Sequence, residues 1–494
     1  MSLITTQEST GITNFGGNIS FVPKYRYKPQ NEAEVLDLLN NHANSKIRVV
    51  ASLHSWSDVV QSEDVIVDMG NFDSVAICAS QQRFAIAQTA AGEVLVTSGG
   101  GCILQKLLDS IHSKTSSTLP SLGAVKEQTI AGVVSTATHG SGKHSLSHYM
   151  DELRVAAYDA ETGKAQIYEW KDGLELRAAR CALGCMGIIL SVTFRCIPKY
   201  YVEETVCRRD NLSDVLAQES EFPLQQFILA PYLWSYFVYQ RRETPSKPTT
   251  LAEIVSTQLY RAYKLIVVDI LFHLTIKVLV SRFGSPAIIR GFYEKIFPNL
   301  VVQGKTVVDE SENALTMEHQ LFKHLEMEVF IPARNILNAA DFVRHVTSLF
   351  AGTSDTVGDR MLSELRKIGM LETLMEHKGD YTHHYPLFFR RVLPDDTLIS
   401  MTSGSNEPYY TISFFTYLEP RTQFYKFADF LARSLTQLYD ARLHWGKYYP
   451  LTNSEIEHLY PRLEEFRQIC KKTDPNGVFR NNYTERVLGF SVKD

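Results

Sequence analysis

Residues 49–60 read VVASLHSWSDVV: an apolar run breaks into small and hydroxyl residues, and a histidine, His54, stands between Leu53 and Ser55. An imidazole at such a turn is either a ligand to something the loop binds or a histidine hydrogen-bonded within loop or core, and the local pattern leaves both readings open. A second stretch, residues 119–142, LPSLGAVKEQTIAGVVSTATHGSG, concentrates glycine among serine and threonine. Glycine lets a backbone approach a ligand closely, and interleaved hydroxyls donate to phosphate or carbonyl oxygens, so this stretch reads as a diphosphate cradle or as a glycine-rich structural turn. It is not a nucleoside-triphosphate loop, because Gly142 and Lys143 are followed by His144 rather than Ser or Thr, and Ala137 stands where the first glycine belongs. SGGGC at 98–102 lacks the third spaced glycine of a dinucleotide fingerprint.

Strands alternating with helices must position these loops. EAEVLDLLNNHA and ILQKLLDSI have helical periodicity, whereas IRVVAS, DVIVDM and GIILSVTFRCIPKY read as strands. The regular pattern ends at Pro198, which places a boundary near residue 200. Beyond it, EMEVFIP and YYTISFFTYLEP read as strands and ILNAADFVRHVTSLF as a helix. The tail is helical, then coil, and TDPNGVFRNNY enforces a turn. The expected fold class is α+β, with the domains packed closely because no flexible linker separates them.

Composition narrows the function. The 494 residues are 44% hydrophobic and 21% charged with a net charge of −5, and the pI near 6.3 supplies no basic field for nucleic acid. Seven cysteines without a C-x-x-C pair argue against a disulfide framework and a zinc site, so no metal is expected and a reducing compartment is the simpler reading. The start shows no secretory pattern. Residues 263–283, YKLIVVDILFHLTIKVLVSRF, are apolar nearly all round, with Asp269, His273 and Lys277 at four-residue spacing as one polar stripe. Such a helix is buried on most sides or lies on a membrane or a partner. The expected location is intracellular, either cytoplasmic or peripherally membrane-associated.

Four segments in order, IRVVASLHSWSD, SLGAVKEQTIAGVVSTATHGSG, ALGCMGIILSVTF and the late HWGKYY with YPRLEEFRQICKKTDPNGVFRNNY, resemble the aldonolactone oxidase and alditol oxidase group of the vanillyl-alcohol-oxidase superfamily of flavoproteins. The resemblance is good over residues 18–200 and from 440, and looser between. It implies a PCMH-type FAD-binding domain of two subdomains at 18–200, an α+β substrate-binding cap at 201–420, and a C-terminal segment, 421–494, returning to the flavin. Carried over by position, Ser52, Leu53, His54, Ser55, Ser121, Gly123, Thr129, Gly132, Thr136, His139, Gly140, Ser141 and Ile188 are implied to line FAD. His54 holds the position that many members bond to the 8α-methyl of the flavin; noncovalent FAD with His54 as a hydrogen-bonding neighbour is the alternative. Ala51 and Leu53 depart from the pattern, standing where members commonly have glycine.

The implied reaction is hydride transfer from an alcohol-bearing carbon, of a sugar lactone or related alcohol, to flavin N5, with reoxidation by dioxygen to hydrogen peroxide. Gly123 matches the site where family oxidases have glycine and a plant-type dehydrogenase has alanine, and a missing methyl there is expected to open a path for dioxygen. Lys447 of HWGK is the implied cation beside the reduced flavin. Arg390 and Thr416 are the implied substrate-side groups. Phe388 and Phe414 stand where a glutamate and a histidine are common, so the expected substrate is less hydroxylated, or more apolar, than a polyol. A dehydrogenase of the same fold passing electrons to a quinone or cytochrome, and a non-catalytic flavin-fold protein at a membrane, remain as alternatives.

Overall fold

The computed structural model describes residues 6–7, 11–77, 94–280, 285–317, 322–354 and 358–490. Cys78 and the last three residues of the 263–283 segment lie outside them. The helix Glu32–Asn41 starts where Asn31 accepts the Glu34 N–H, and it buries Val35, Leu38 and Leu39 at helical spacing. It leads into the strand Ile47–Val50, which pairs in parallel with Val65–Asp68 in a four-stranded sheet. A second sheet, antiparallel, runs Ala165–Trp170, Met150–Tyr158, Ile188–Pro198, Val94–Gly99, Val75–Ala76. Its central strand, Ile188–Pro198, is buried over its first seven residues, hence the unbroken apolar run. The glycines of SGGGC serve packing: a Cβ on Gly100 would fall 2.4 Å from the Ile189 carbonyl oxygen and one on Gly101 1.9 Å from that of Met69.

Between Pro198 and Tyr201 the chain changes sheet, at the boundary read near residue 200. An antiparallel sheet of eight strands follows, ordered Thr306–Glu310, Tyr201–Arg209, Tyr236–Thr244, Gln226–Leu229, Leu387–Val392, Tyr409–Thr416, Leu325–Pro332, Arg442–Leu443. Its side chains alternate between two faces. Met327, Val329, Ile412, Phe414 and Phe389 join the main core on the face covered by the helices Ile336–Phe350 and Arg421–Tyr439. Glu326, Glu328, Ser413, Phe415, Phe388 and Arg390 share the other face, as the pairings Glu326 with Phe415, Glu328 with Ser413 and Phe388 with Ser413 require.

The C-terminal segment divides its loyalties. Its first helix, Arg421–Tyr439, and the strand Arg442–Leu443 belong to the eight-stranded sheet, whereas the helices Leu463–Thr473 and Asn482–Leu488 pack on the first half of the chain. The segment read as an apolar helix begins earlier, at Leu251, with a Thr250–Glu253 capping box. It continues through π-helical turns over Lys264–Phe272 into His273–Val278. Its sides differ: Phe272 and Ile276 are buried, while Leu259, Ile266, Leu271, Leu274 and Val278 are exposed. The helix is therefore not buried on most sides, and the expected polar stripe splits, because Lys277 is exposed whereas Asp269 and His273 face a cavity. Among the described residues no helix is long and apolar enough to cross a membrane.

Arg48 fastens the tail to the first half. Its guanidinium is buried and donates to three carbonyl oxygens, of Val59 at 2.7 Å, Phe479 at 2.5 Å and Leu183 at 2.6 Å. Arg48→Leu strands those acceptors, each worth about 1–3 kcal/mol when left buried and unpaired. The urea midpoint should fall by the equivalent of about 3 kcal/mol with an unchanged slope; a midpoint equal to wild type would show that this tie adds no stability.

Candidate active site

A cavity of about 280 Å³ lies where the first half of the chain meets the free face of the eight-stranded sheet. The two walls differ in charge. Among the described residues the first half supplies glycines, aliphatic residues, the hydroxyls of Ser52, Ser55, Thr129, Ser135, Thr136 and Thr138, the histidines His54 and His139, and Arg48, with no carboxylate. The described acids on the cavity, Asp269, Glu326 and Glu328, come from the second half. A dinucleotide diphosphate tolerates the first wall and would be repelled by the second.

The loop at 51–56 is held from several directions. Thr129 N–H donates to Ser52 Oγ at 3.1 Å, and Ser55 Oγ donates to the Gly446 carbonyl at 3.1 Å. Leu53 adopts a left-handed conformation, φ 54°, which accounts for the glycine common there in the resembled family. Its side chain packs against the small cluster of Ile12, Ile19, Phe21, Val50 and Ile66, and its carbonyl accepts the Phe15 N–H at 2.9 Å. His54 lines the cavity and stacks on Phe15, ring centroids 5.0 Å apart at 14°.

Opposite stand two carboxylates, Glu326 and Glu328, two residues apart on one strand and both buried. Lys447 forms an ion pair with Glu326 and lies over the Trp56 ring, 4.3 Å from its centroid. Glu328 accepts from Ser413 Oγ at 3.0 Å and lies 3.4 Å from His139 Nε2. Burial holds the Glu326 carboxyl above the usual range although Lys447 opposes the shift. Burial acts the same way on Glu328, but His139 and the other groups facing it, Lys447 among them, together hold that carboxyl well below. Burial, reinforced by Lys447, pushes His324 down to about 3, and burial likewise keeps His444 at about 3, so both are neutral at pH 7. Donor atoms of His139, Glu328 and His444 lie within 4.8 Å of one another, the spacing of a metal triad. All three already have protein partners, His444 Nδ1 accepting the Gly446 N–H at 3.0 Å and His139 Nδ1 lying 3.0 Å from the Gly140 carbonyl oxygen.

Of the residues singled out in the sequence, Ser52, Leu53, His54, Ser55, Gly123, Thr129, Gly132, Thr136, His139, Arg390 and Lys447 line this cavity. Five do not. The Ser121 hydroxyl is buried without a partner among the described residues, which suits a cofactor loop. A Cβ on Gly140 would meet the Leu122 carbonyl oxygen at 2.5 Å, and Ser141 Oγ donates to the Gln225 carbonyl and accepts the Arg391 N–H. Ile188 is buried, and its neighbours Gly187 and Ile189 reach the cavity instead. Thr416 is corrected outright: strand alternation turns it to the helix-covered side, where its hydroxyl is 3.3 Å from His384 Nε2. Phe414 shares that side, so the aromatic facing the cavity is Phe415, packed edge-on against Phe388 at 5.3 Å. At Gly123, which lines the cavity, a methyl would sit 2.6 Å from Thr138 Cγ2. Asp395 is a structural hub accepting from Ser145, Thr397 and Ser400, and Asp396 pairs with Arg180 and Arg177.

The sequence reading missed Glu326 and Glu328, though two acids at period two inside the apolar strand LEMEVFIP mark one charged face of a buried strand. It also missed Trp56, His324 and Tyr385, whose positions depend on tertiary packing.

The family model described as D-arabinono-1,4-lactone oxidase matches residues 192–487, and one described as FAD binding domain matches 23–165. The chain belongs to the D-arabinono-1,4-lactone oxidase family. It is 40% identical over 477 residues to a long-chain alcohol oxidase of an uncultured marine euryarchaeote, covering 96% of each chain. To the L-gulonolactone oxidase of Bos taurus it is 24% identical, over 96% of this chain and 97% of that one. Among solved structures, the cholesterol oxidase of B. sterolicum superposes with a TM-score of 0.71 at 13% identity, over 98% of this chain and 97% of that one. The fold is thus the PCMH-type α+β architecture, an FAD-binding domain with a separate β-rich cap. The protein is an FAD-dependent oxidoreductase acting on a CH–OH group. The acid-free wall of glycines and hydroxyls, with the unpartnered Ser121 hydroxyl behind it, fits that cofactor.

Proposed function

We propose that this protein is an oxidase of apolar primary alcohols, with dioxygen as the electron acceptor, rather than of sugar lactones. The observation that carries the reading is the pair Phe388–Phe415 on the cavity wall, beside Phe322 and Met317. A sugar hydroxyl pressed against these rings would lose its hydrogen bonds at a cost of about 1–3 kcal/mol each, whereas an alkyl chain gains by burial there. The long-chain alcohol oxidase relative supports the same substrate class and acceptor.

Bound FAD supplies a two-electron acceptor for the hydride of the carbinol carbon. Within the chain, Lys447 is the group we assign to stabilising negative charge as it develops, held in place by Glu326 beneath it and the Trp56 ring beside it. Arg390, whose Nε donates to Gln226 Oε1 at 3.4 Å, is the second cation on the cavity's substrate side. Phe388, Phe415 and the neutral His324 exclude water. His54 is assigned the covalent link, because the Leu53 side chain packs on the cluster of Ile12, Phe21 and Ile66, which accommodates it at the left-handed position without displacing the loop. The outward apolar side chains Leu259, Ile266 and Leu274 suit a lipid–water boundary, where such alcohols reside.

Four measurements test this reading. Peroxide release should be strong with 1-hexadecanol and at least tenfold weaker with gulonolactone or arabinonolactone, and the protein should sediment with phosphatidylcholine vesicles carrying the alcohol. The reverse preference would sink the substrate assignment, and protein left in the supernatant would remove the peripheral one. Flavin fluorescence should stay with the denatured wild-type chain and be lost in His54→Ala; flavin released by acid precipitation of wild type would exclude the covalent bond. Lys447→Met, made together with Glu326→Gln so that no buried carboxylate is stranded, should slow anaerobic flavin reduction about 100-fold with FAD retained. An unchanged reduction rate would count against Lys447.

A further inference from the structure

A second cavity, of about 200 Å³, lies between the long helix and the free face of the eight-stranded sheet. It adjoins the first, the two sharing walls at Asp269, His273, Tyr385, Phe388 and Arg390. Resting on the alcohol reading above, we propose that this chamber receives the hydrocarbon tail of the substrate while the hydroxyl end stays in the first cavity, so that the chamber sets the preferred chain length.

The walls support this assignment. Along the helix, Leu265, Val268, Asp269 and Phe272, at spacings of three and four residues, all face the chamber, while Ile266 and Leu271 point outward. Phe297, Leu300 and Val301 close it from the segment that follows, and Ile228 and Val206 line it from the sheet. Polar groups at both ends of it are engaged by protein partners. At the junction, Tyr385 hydroxyl lies 2.9 Å from His273 Nε2, and burial pushes His273 down to about 4, so no charge from that imidazole confronts an alkyl chain. At the far end, the buried Glu204 carboxylate takes Arg241, Lys264 at 3.0 Å and the Tyr260 hydroxyl at 2.8 Å. Polar atoms satisfied in this way leave the aliphatic and aromatic side chains as the surface a ligand meets, which favours an unbranched hydrocarbon over a polar tail.

The test uses the FAD-loaded enzyme and the primary alcohols from 1-hexanol to 1-hexadecanol. In wild type, kcat/KM should climb with length, by up to about fourfold for each methylene buried, until the chamber is filled. Leu265→Trp and Val301→Trp each put an indole into the chamber from a different wall, and each should lower the hexadecanol-to-hexanol ratio of kcat/KM at least tenfold while the flavin spectrum is kept. A ratio within twofold of wild type in both variants, or no dependence on length in wild type, would overturn the chamber assignment. Should neither variant fold, wild type irradiated with a hexadecanol bearing a terminal diazirine decides the matter: labels on residues 265–272 or 297–301 support the chamber, and labels confined elsewhere refute it. Wild-type flavin that no primary alcohol bleaches would instead defeat the substrate reading itself, an outcome distinct from the others.

Discussion

Two carboxylates two residues apart on a buried strand, Glu326 and Glu328, are the constraint around which the site is built. Neither can stay ionised in so apolar a setting without a cation, and removing one member of such a pair typically costs about 3–5 kcal/mol. Their partners come from opposite ends of the chain, His139 from the FAD-binding domain and Lys447 from the tail. Partnering these two acids therefore brings the cap, the first domain and the tail together at one place, which is where the cavity forms. The same arrangement orients Lys447: a flexible ammonium is pinned between a carboxylate and an indole face rather than left in solvent.

The sequence carried much of this, unevenly. Segments with strong periodicity, such as Glu32–Asn41, Leu104–Lys114, Ile188–Pro198 and Ile336–Phe350, were legible because each must bury a defined face. The glycine and hydroxyl loops around His54 and Gly123 were legible because backbone approach to a ligand restricts residue type. Thr416 and Phe414 went astray for one reason. In a strand, adjacent residues face opposite ways, and a motif alignment cannot say which parity faces the cofactor; the pairing of Phe415 with Glu326 decides it. Trp56, His324 and Tyr385 carried no local signal, since their roles arise from contacts between segments hundreds of residues apart.

The long helix shows how one element can serve two solvents. Its inner row meets the two cavities through Asp269, His273 and Phe272, and its outer row presents aliphatic side chains to the exterior. That double demand explains a composition apolar nearly all round, which from sequence alone resembles a buried or a membrane-bound segment. A helix under a single demand would have shown the usual polar face.

The divided tail carries a consequence for biogenesis. Strand Arg442–Leu443 completes the edge of the cap sheet, Lys447 pairs with Glu326, and the carbonyl of Phe479 is gripped by Arg48 from the strand Ile47–Val50. The nucleotide-binding half therefore lacks part of its framework until residues 442–479 have been made and have left the ribosome. The grip that Arg48 and Glu326 take on residues 447 and 479 thus closes only when the late segments fold back over the first domain.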